Sequence, residues 1–312
     1  MAVALQEVGG LSATVGAVVV SYRPDLGALG ELLKALSKQV NIIYLVDNGS
    51  GEATVASLRM ATTGKNIELI ALPTNCGIAV AHNIGIQRVA ERGLEYVLLS
   101  DQDSVPAPDM VARLARARQE LADEGIRVAA VGPVSVDQRT GTLGKFVRIR
   151  AGRIHQVPCC GPNDVMEVDF LISSGSLIPL EVIGALGSMK EEFFIDHVDT
   201  EWCHRAHAAG WRLYGVCGAR LAHTLGDRVV RIWLGRWREV SVHSPLRDYY
   251  MFRNTVLMLR QVPMTWSWRV AHLRRIALFF VFFGMIIAPR RERIAMMARG
   301  IWHGIIGRAG GY

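Results

Sequence analysis

The sequence predicts an α/β fold, with a mostly parallel central sheet and a helical C-terminal extension. Two observations carry this. Over the first 135 residues, short β-rich runs alternate with helical stretches, which implies βαβ units. Polar residues gather directly after each apolar run, and in an open parallel sheet that edge is where ligands sit.

Residues 15–22 read as the first strand and 26–36 as an amphipathic helix. Residues 42–47 form the second strand, 55–62 a helix, 67–72 the third strand and 78–92 a helix. The fourth strand covers 96–100, a helix 108–122 and a fifth strand 128–131. Beyond about residue 140 the alternation loosens. Strands are expected at 168–173 and 176–179 around a turn at Gly175, and a short helix at 181–186. A helix then runs through Ala209 to a glycine stop at Gly210, and a strand follows at 213–217.

Composition sets limits. At 312 residues the chain can bury a large core. Half its residues are apolar and mean hydropathy is +0.23. The net charge of +7 is uneven: from Arg228 onward fifteen Arg and no Lys face Glu239, Asp248 and Glu292. A basic, apolar tail points to an anionic membrane surface rather than to nucleic acid. Residues 276–288 are thirteen consecutive uncharged residues, bracketed by Arg274, Arg275, Arg290 and Arg291. That run falls short of the roughly 20 residues a spanning helix needs. It suits a helix lying in the interface, with burial in a core or a homodimer interface as the alternative. The five cysteines are odd in number and form no C-x-x-C pair, so neither a disulfide framework nor a thiolate zinc site is indicated. A reducing cytosolic compartment is expected, and the N-terminus lacks a signal-peptide pattern.

The densest chemistry lies at Asp101-Gln102-Asp103, after the apolar run 96–100 and before Pro106. Carboxylates at i and i+2 on a continuing strand would point to opposite faces. The strand must end here for the two to converge, and Pro106 and Pro108 support an ending. Mg²⁺ or Mn²⁺ is held by one or two carboxylates plus substrate phosphate oxygens. Asp103 is the candidate metal ligand, and Asp101 is placed to reach a ribose hydroxyl or a bound water. The bland alternative is a solvated Asp-rich turn. Ser21 and Tyr22, Asp47, and Asn75 with Gly77 follow the other three strands, so four polar strand ends stack along one edge. No G-x-G-x-x-G follows the first strand and no G-x-x-x-x-G-K-[ST] occurs, against dinucleotide and P-loop enzymes.

Taken together, these blocks resemble family 2 glycosyltransferases with the GT-A fold, and within them the bacterial rhamnosyltransferases. The resemblance runs from Val15 to about Leu259. It rests on Val19-Val20-Ser21-Tyr22, Val46-Asp47-Asn48-Gly49-Ser50, Asn75-Cys76-Gly77-Ile78-Ala79 with His82-Asn83, and Asp101-Gln102-Asp103. It continues through Asp196-His197-Val198-Asp199-Thr200-Glu201-Trp202, Arg205, His223 and Arg247-Asp248-Tyr249-Tyr250-Met251-Phe252-Arg253-Asn254. The resemblance implies a nucleotide-sugar donor, dTDP-β-L-rhamnose, and a lipid-linked or cell-surface glycan acceptor. It implies a nucleotide-binding half at 1–135 and an acceptor-binding half at 136–227; the basic, apolar composition reads 228–312 as a membrane-interfacial helical region. It places Asp47 against the pyrimidine and Asn75 and Gly77 along the nucleotide. Ser21, Tyr22, His82, Asn83, Asp101, Arg205 and Arg253 are further donor-binding candidates. Asp103 takes the metal, with His223 as a second ligand or a plain turn histidine. Members of this kind are usually inverting.

Inversion requires a base opposite the leaving group, and the transition state is oxocarbenium-like. Asp199, at a helix N-terminus, is the candidate base, with Glu201 as the second acid of the motif and Asp196 as rival. The helix terminus should keep Asp199 ionised, though an N-cap role is the alternative. Arg205 lies 240° round the helix from Asp199 at the ideal 100° per residue, so it suits either a phosphate or an ion pair elsewhere. Trp202 suits a sugar ring or the core, and Tyr249 with Tyr250 an acceptor wall or packing. A nucleotidyltransferase and a non-catalytic scaffold of a glycan assembly complex are the competing readings.

Overall fold

The computed structural model describes residues 13–64, 66–137, 141–223, 228–233 and 237–312, with backbone alone at 223, 228–233 and 237–241. The first half runs β1 (Val15–Ser21), α1 (Leu26–Leu36), β2 (Ile42–Asp47), α2 (Glu52–Thr62), β3 (Ile67–Ala71), α3 (Ile78–Glu91), β4 (Tyr96–Asp101), β5 (Ser104–Pro106), α4 (Met110–Asp123) and β6 (Val128–Asp137). The second runs β7 (Phe146–Arg150), β8 (Arg153–Val157), β9 (Val165–Val168), β10 (Leu177–Pro179), α5 (Leu180–Leu186), α6 (Val198–Ala208) and β11 (Arg212–His223). A hairpin of β12 (Arg228–Trp233) and β13 (Trp237–Val242) leads to α7 (Pro245–Gln261), α8 (Trp266–Val281) and α9 (Arg290–Ile306).

One sheet of nine strands forms the centre, in the order β3-β2-β1-β4-β10-β6-β11-β5, with β9 also on β11. The β1–β2, β1–β4, β2–β3 and β6–β11 pairs are parallel, whereas β10, β5 and β9 pair antiparallel. Every residue of β1 and β2 is buried, as expected of strands covered on both faces. Asp25 caps α1 by accepting from Gly27 and Ala28 N–H at 2.9 Å. Leu29, Leu32, Leu33 and Leu36, at i, i+3, i+4 and i+7, are the stripe that α1 buries. Residues 135 and 136 lie inside β6, and β10 and β11 join strands of the first half. The two halves therefore share one sheet.

Several expectations are corrected. The strand expected at 168–173 is β9 and stops at Val168; beyond it only Phe170 bridges, to Val147. The strand expected at 213–217 continues to His223, because a register shift between Val216 and Arg220 lets it pair onward with β6 and β5. The C-terminal region opens with the β12–β13 hairpin rather than a helix. Cys159 and Cys217 form a disulfide with Cα atoms 5.7 Å apart, tying the chain after β8 to β11; odd cysteine number did not exclude one bridge. The apolar run 276–288 is not one helix: α8 ends at Val281, a π turn covers Phe282–Ile286, and the Ala288–Pro289 bond is cis. Phe283 and Ile287 pack inward with Phe252 and Met297, while Leu278, Val281 and Met285 stay exposed.

The helix α9 lies close on α7. A Cβ on Gly300 would fall 2.5 Å from the Tyr249 carbonyl oxygen, and one on Gly304 2.8 Å from that of Arg253. A buried Arg293–Asp248 ion pair crosses the same contact.

Candidate active site

The carboxyl ends of β1, β2 and β4 are brought level by their parallel register, in which Ser21 pairs with Asp47 and Val20 with Asp101. Asp47 is fully buried and accepts from Ser50 N–H at 2.9 Å, Ser50 Oγ at 2.5 Å and Ser21 Oγ at 3.3 Å. The loop after β3 is pinned to the loop after β2. Asn48 donates to Asn75 Oδ1 at 3.1 Å and accepts from Cys76 N–H at 2.9 Å, while Asn75 also accepts from Gly77 N–H. Gly77 has φ +90°, and a Cβ there would lie 2.6 Å from Phe194, so only glycine fits. Gln102, between the two acids, accepts from Tyr22 N–H at 2.8 Å and so ties the acidic loop to the end of β1.

Asp101 and Asp103 leave β4 in different surroundings. Asp103 is exposed, whereas Asp101 is half-buried, with its N–H on Ser174 Oγ at 3.2 Å. Burial raises the Asp101 pKa to about 7; the Asp103 and Asp199 carboxylates add to the rise and Arg247 opposes it. Asp199, far along the chain on α6, therefore sits in the electrostatic field of the acidic loop. Its pKa rises to about 6, chiefly through burial, with Asp196 adding, against hydrogen bonds from Thr200. The helix N-terminus was expected to hold Asp199 in its ordinary range; desolvation outweighs it. Asp196 is paired with Arg247 at 3.2 Å. Arg247, which the sequence reading did not single out, is thus a cation facing this acid cluster, as is Arg275.

The segment bearing these acids is strained. Phe194, Asp196 and His197 all have φ near +60°, a conformation that costs non-glycine residues roughly 1–3 kcal/mol each. It is held from α7. Arg253 donates to the carbonyls of Glu192, Phe193 and Gly310, and Asn254 to those of Phe193, Ile195 and Asp196. Phe194 stacks on Tyr250 with centroids 5.1 Å apart, and His197 Nε2 meets Thr255 Oγ1 at 2.9 Å.

Other candidate residues do not join the cluster. His82 is fully buried in α3, where burial lowers its pKa to about 4. Asn83 bonds Met189 and Glu191. Glu201 is fully buried and doubly bonded by Arg205, whose remaining donors meet the Leu186 and Ser188 carbonyls. The i,i+4 spacing of Glu201 and Arg205 was the available signal for that pair. Arg253 is buried under the loop, as are Tyr249 and Tyr250, and Trp202 is buried with its Nε1 on the Gly187 carbonyl. The backbone of His223 pairs with Ser104, beside the acidic loop; its side chain lies outside the described residues.

Raised carboxyl pKa values have a stability consequence. A carboxyl whose folded pKa exceeds its unfolded value stabilises the fold below the unfolded pKa, and that contribution is lost as pH rises through the folded pKa. In the ligand-free protein Asp101 and Asp199 therefore subtract stability between about pH 4 and about pH 7, while the buried imidazoles of His82, His204 and His272, whose pKa values burial lowers to about 4, 3 and 4, add stability as pH rises toward their unfolded pKa. Urea midpoints across that range check this. Asp101→Asn should make stability rise more steeply with pH than it does in the unaltered protein, and an unchanged pH profile would remove the assignment.

Comparison with known proteins adds to this geometry. A family model described as Glycosyl transferase family 2 matches residues 17–156. The dTDP-rhamnosyl transferase RfbF of Shigella flexneri is 30% identical over 307 residues, covering 96% of this chain and 98% of that protein. Among solved structures, GalNAc-T7 with UDP, GalNAc and Mn²⁺ superposes with a TM-score of 0.56 at 15% identity, over 88% of this chain and 56% of that one. The mannosyltransferase PcManGT from Pyrobaculum calidifontis, in complex with GDP-Man and Mn²⁺, gives 0.54 at 15% identity, over 94% and 75%. S. aureus TarS 1-349 gives 0.53 at 13% identity, over 94% and 81%. At such identities these structures show a shared fold.

Proposed function

This chain belongs to glycosyl transferase family 2 and has its GT-A fold, and from that premise we propose that it transfers L-rhamnose from dTDP-β-L-rhamnose to a lipid-linked or cell-surface glycan, with inversion and with a divalent cation. The observation that carries this reading is the convergence of acids from β4 and α6, seen in the effect of Asp103 and Asp199 on Asp101. The donor sugar is supported by the likeness to the Shigella flexneri rhamnosyl transferase over nearly the whole length of both chains.

In this reading Asp47 and the pinned loops at Asn48, Asn75 and Gly77 shape the nucleoside end of the cleft, with Ser21 and Tyr22 at its floor. Among the described residues no group of three or more His, Cys, Asp or Glu forms a protein-only cation cage. Two carboxylates at one strand end do fit Mg²⁺ or Mn²⁺, which completes its shell with phosphate oxygens. Asp103 would hold the ion, with Asp101 beside it and residue 223 alongside. When bound, the ion supplies Lewis-acid stabilisation of the leaving diphosphate. Asp199 takes the proton of the acceptor hydroxyl at its carboxylate. Asp196, neutralised by Arg247, orients that hydroxyl, while Arg253 and Asn254 fix the loop bearing both acids.

A donor panel read by thermal shift tests the reading. dTDP-L-rhamnose should stabilise the protein in Mn²⁺ or Mg²⁺ and much less in EDTA, and Asp103→Ala should abolish the difference. At 100-fold excess over Kd the ligand adds about 2.7 kcal/mol, a shift well above measurement error. Equal shifts with and without metal would refute the cation role.

We also place the protein peripherally on the inner face of the membrane. Leu278, Val281 and Met285 on α8 and its continuation, with Ile305 and Ile306 on α9, form exposed apolar surface, and Arg274, Arg290 and Arg291 lie exposed among them. No helix among the described residues is long and apolar enough to cross a membrane. Apolar surface mixed with arginine suits an anionic leaflet; a homodimer contact is the competing occupant. The disulfide removes the cysteine-based support for a reducing compartment, so this placement rests on the surface alone. Leu278→Glu with Met285→Glu should release the protein from phosphatidylserine vesicles in flotation; retained flotation would end the membrane assignment.

A further inference from the structure

A cavity of about 120 Å³ lies between the β7–β8 hairpin, α6 and α8. Val147 and Ile154 from the hairpin, Thr200 from α6, and Trp268, His272 and Arg275 from α8 line it. It adjoins the acid cluster, because Thr200 follows Asp199 directly and Asp196 and Asp199 both act on Arg275. Neither the fold nor the mechanism above assigns it a role.

Its lining carries one polar group without a structural partner. His272 is 3% exposed, and its Nε2 makes no hydrogen bond among the described residues. A buried polar atom left unpaired costs about 1–3 kcal/mol, so a ligand that bonds it recovers that cost. Burial, with Arg275 adding, lowers the His272 pKa to about 4. The imidazole is neutral at neutral pH and offers one donor nitrogen and one acceptor nitrogen.

The class of occupant follows from the chemistry. A lipid chain would leave His272 Nε2 unpaired and strip water from the Arg275 guanidinium. A diphosphate would meet a neutral histidine and a single arginine already facing two carboxylates, Asp196 and Asp199. A pyranose ring suits every wall: its C–H face lies against Val147, Ile154 and Trp268, and its hydroxyls bond His272 and Arg275. A cavity of about 150 Å³ holds benzene, so about 120 Å³ takes one face of a bulkier pyranose, with the remainder of the ring in the open mouth.

We propose that this cavity is the subsite that seats the acceptor's sugar ring, with the β7–β8 hairpin and α8 as its walls. The proposal rests on the transferase reading above, in which Asp199 receives the acceptor proton. It makes α8 part of the acceptor site as well as of the C-terminal apolar surface.

The test uses the full chain and a panel of methyl pyranosides, read by saturation-transfer NMR. At least one pyranoside should bind. Ile154→Trp, which crowds the mouth from an exposed position, and His272→Phe, which removes the nitrogen, should each weaken it about tenfold. Both variants should keep the thermal shift given by dTDP, which reports an intact fold and donor cleft. A pyranoside that binds both variants as tightly as the unaltered protein overturns the subsite. So does a protein that responds to dTDP and binds no pyranoside. Pyranoside binding lost in the variants, in a protein that responds to no nucleotide, would support the subsite and overturn the donor reading instead.

Discussion

Replacing Asp199 with Asn is expected to lower kcat by about 10²–10⁴-fold, the usual contribution of a positioned general base. The change is nearly isosteric, so the shift given by dTDP-L-rhamnose should persist. Two features favour Asp199 over Asp196. Asp196 is already engaged in an ion pair with Arg247 at 3.2 Å. Asp199 has no cationic side chain bonded to it, and burial raises its pKa to about 6, close to the working pH where general bases are most effective. The sign for the unaltered enzyme follows. Only the ionised form accepts a proton, so kcat/KM should rise as pH climbs through about 6 and level off above it. An Asp199→Asn variant with unchanged kcat would remove Asp199 from the mechanism and leave Asp196 as the base.

Arg253→Met should cost stability and rate together. The substitution keeps length and apolar bulk but removes the donors to the Glu192, Phe193 and Gly310 carbonyls and to Asn254 Oδ1. Glu192 keeps its bond from Gly310 N–H and Phe193 its bond from Asn254, so the acceptors that lose their donor are the Gly310 carbonyl and Asn254 Oδ1, at about 1–3 kcal/mol each, worth several degrees in Tm. The guanidinium also lies over Tyr250 at 4.9 Å, and that contact is lost too. The strained run from Phe194 to His197 would keep its bonds from Asn254 but lose the anchoring of Glu192 and Phe193 just before it, and Asp199 would be less firmly positioned. Arg253→Lys should recover only part, because one ammonium cannot reproduce a planar fork reaching several carbonyls. A Tm and kcat both unchanged in Arg253→Met would show that the loop supports itself.

The alternating strands and helices of the first half were legible because each carries its own local signal. The strands β1 and β2 are unbroken apolar runs, and α1 has its cap and its leucine stripe within a dozen residues. The hairpins were not legible. All but the last residue of β8 is exposed, so it has no inward period to read, and its partner and α8 hold it rather than any pattern of its own. The disulfide joins positions 58 residues apart, and nothing local marks such a pairing. His82, Asn83, Arg205 and Arg253 fall within blocks that resemble donor-binding motifs, yet the fold turns all four side chains to internal hydrogen bonds or burial.

By itself, the sequence determined the class of fold, the sheet edge where the polar residues collect, and the candidate acids at 101, 103, 196 and 199. These depend on short-range periodicity and turn chemistry, which a few neighbouring residues specify. The tertiary structure alone decided which acids share a field, that Arg247 neutralises Asp196, and that α7 grips the strained loop. Those contacts close loops of about fifty to a hundred residues, and burial, which raises the pKa of Asp101 and Asp199, exists only once such loops are closed.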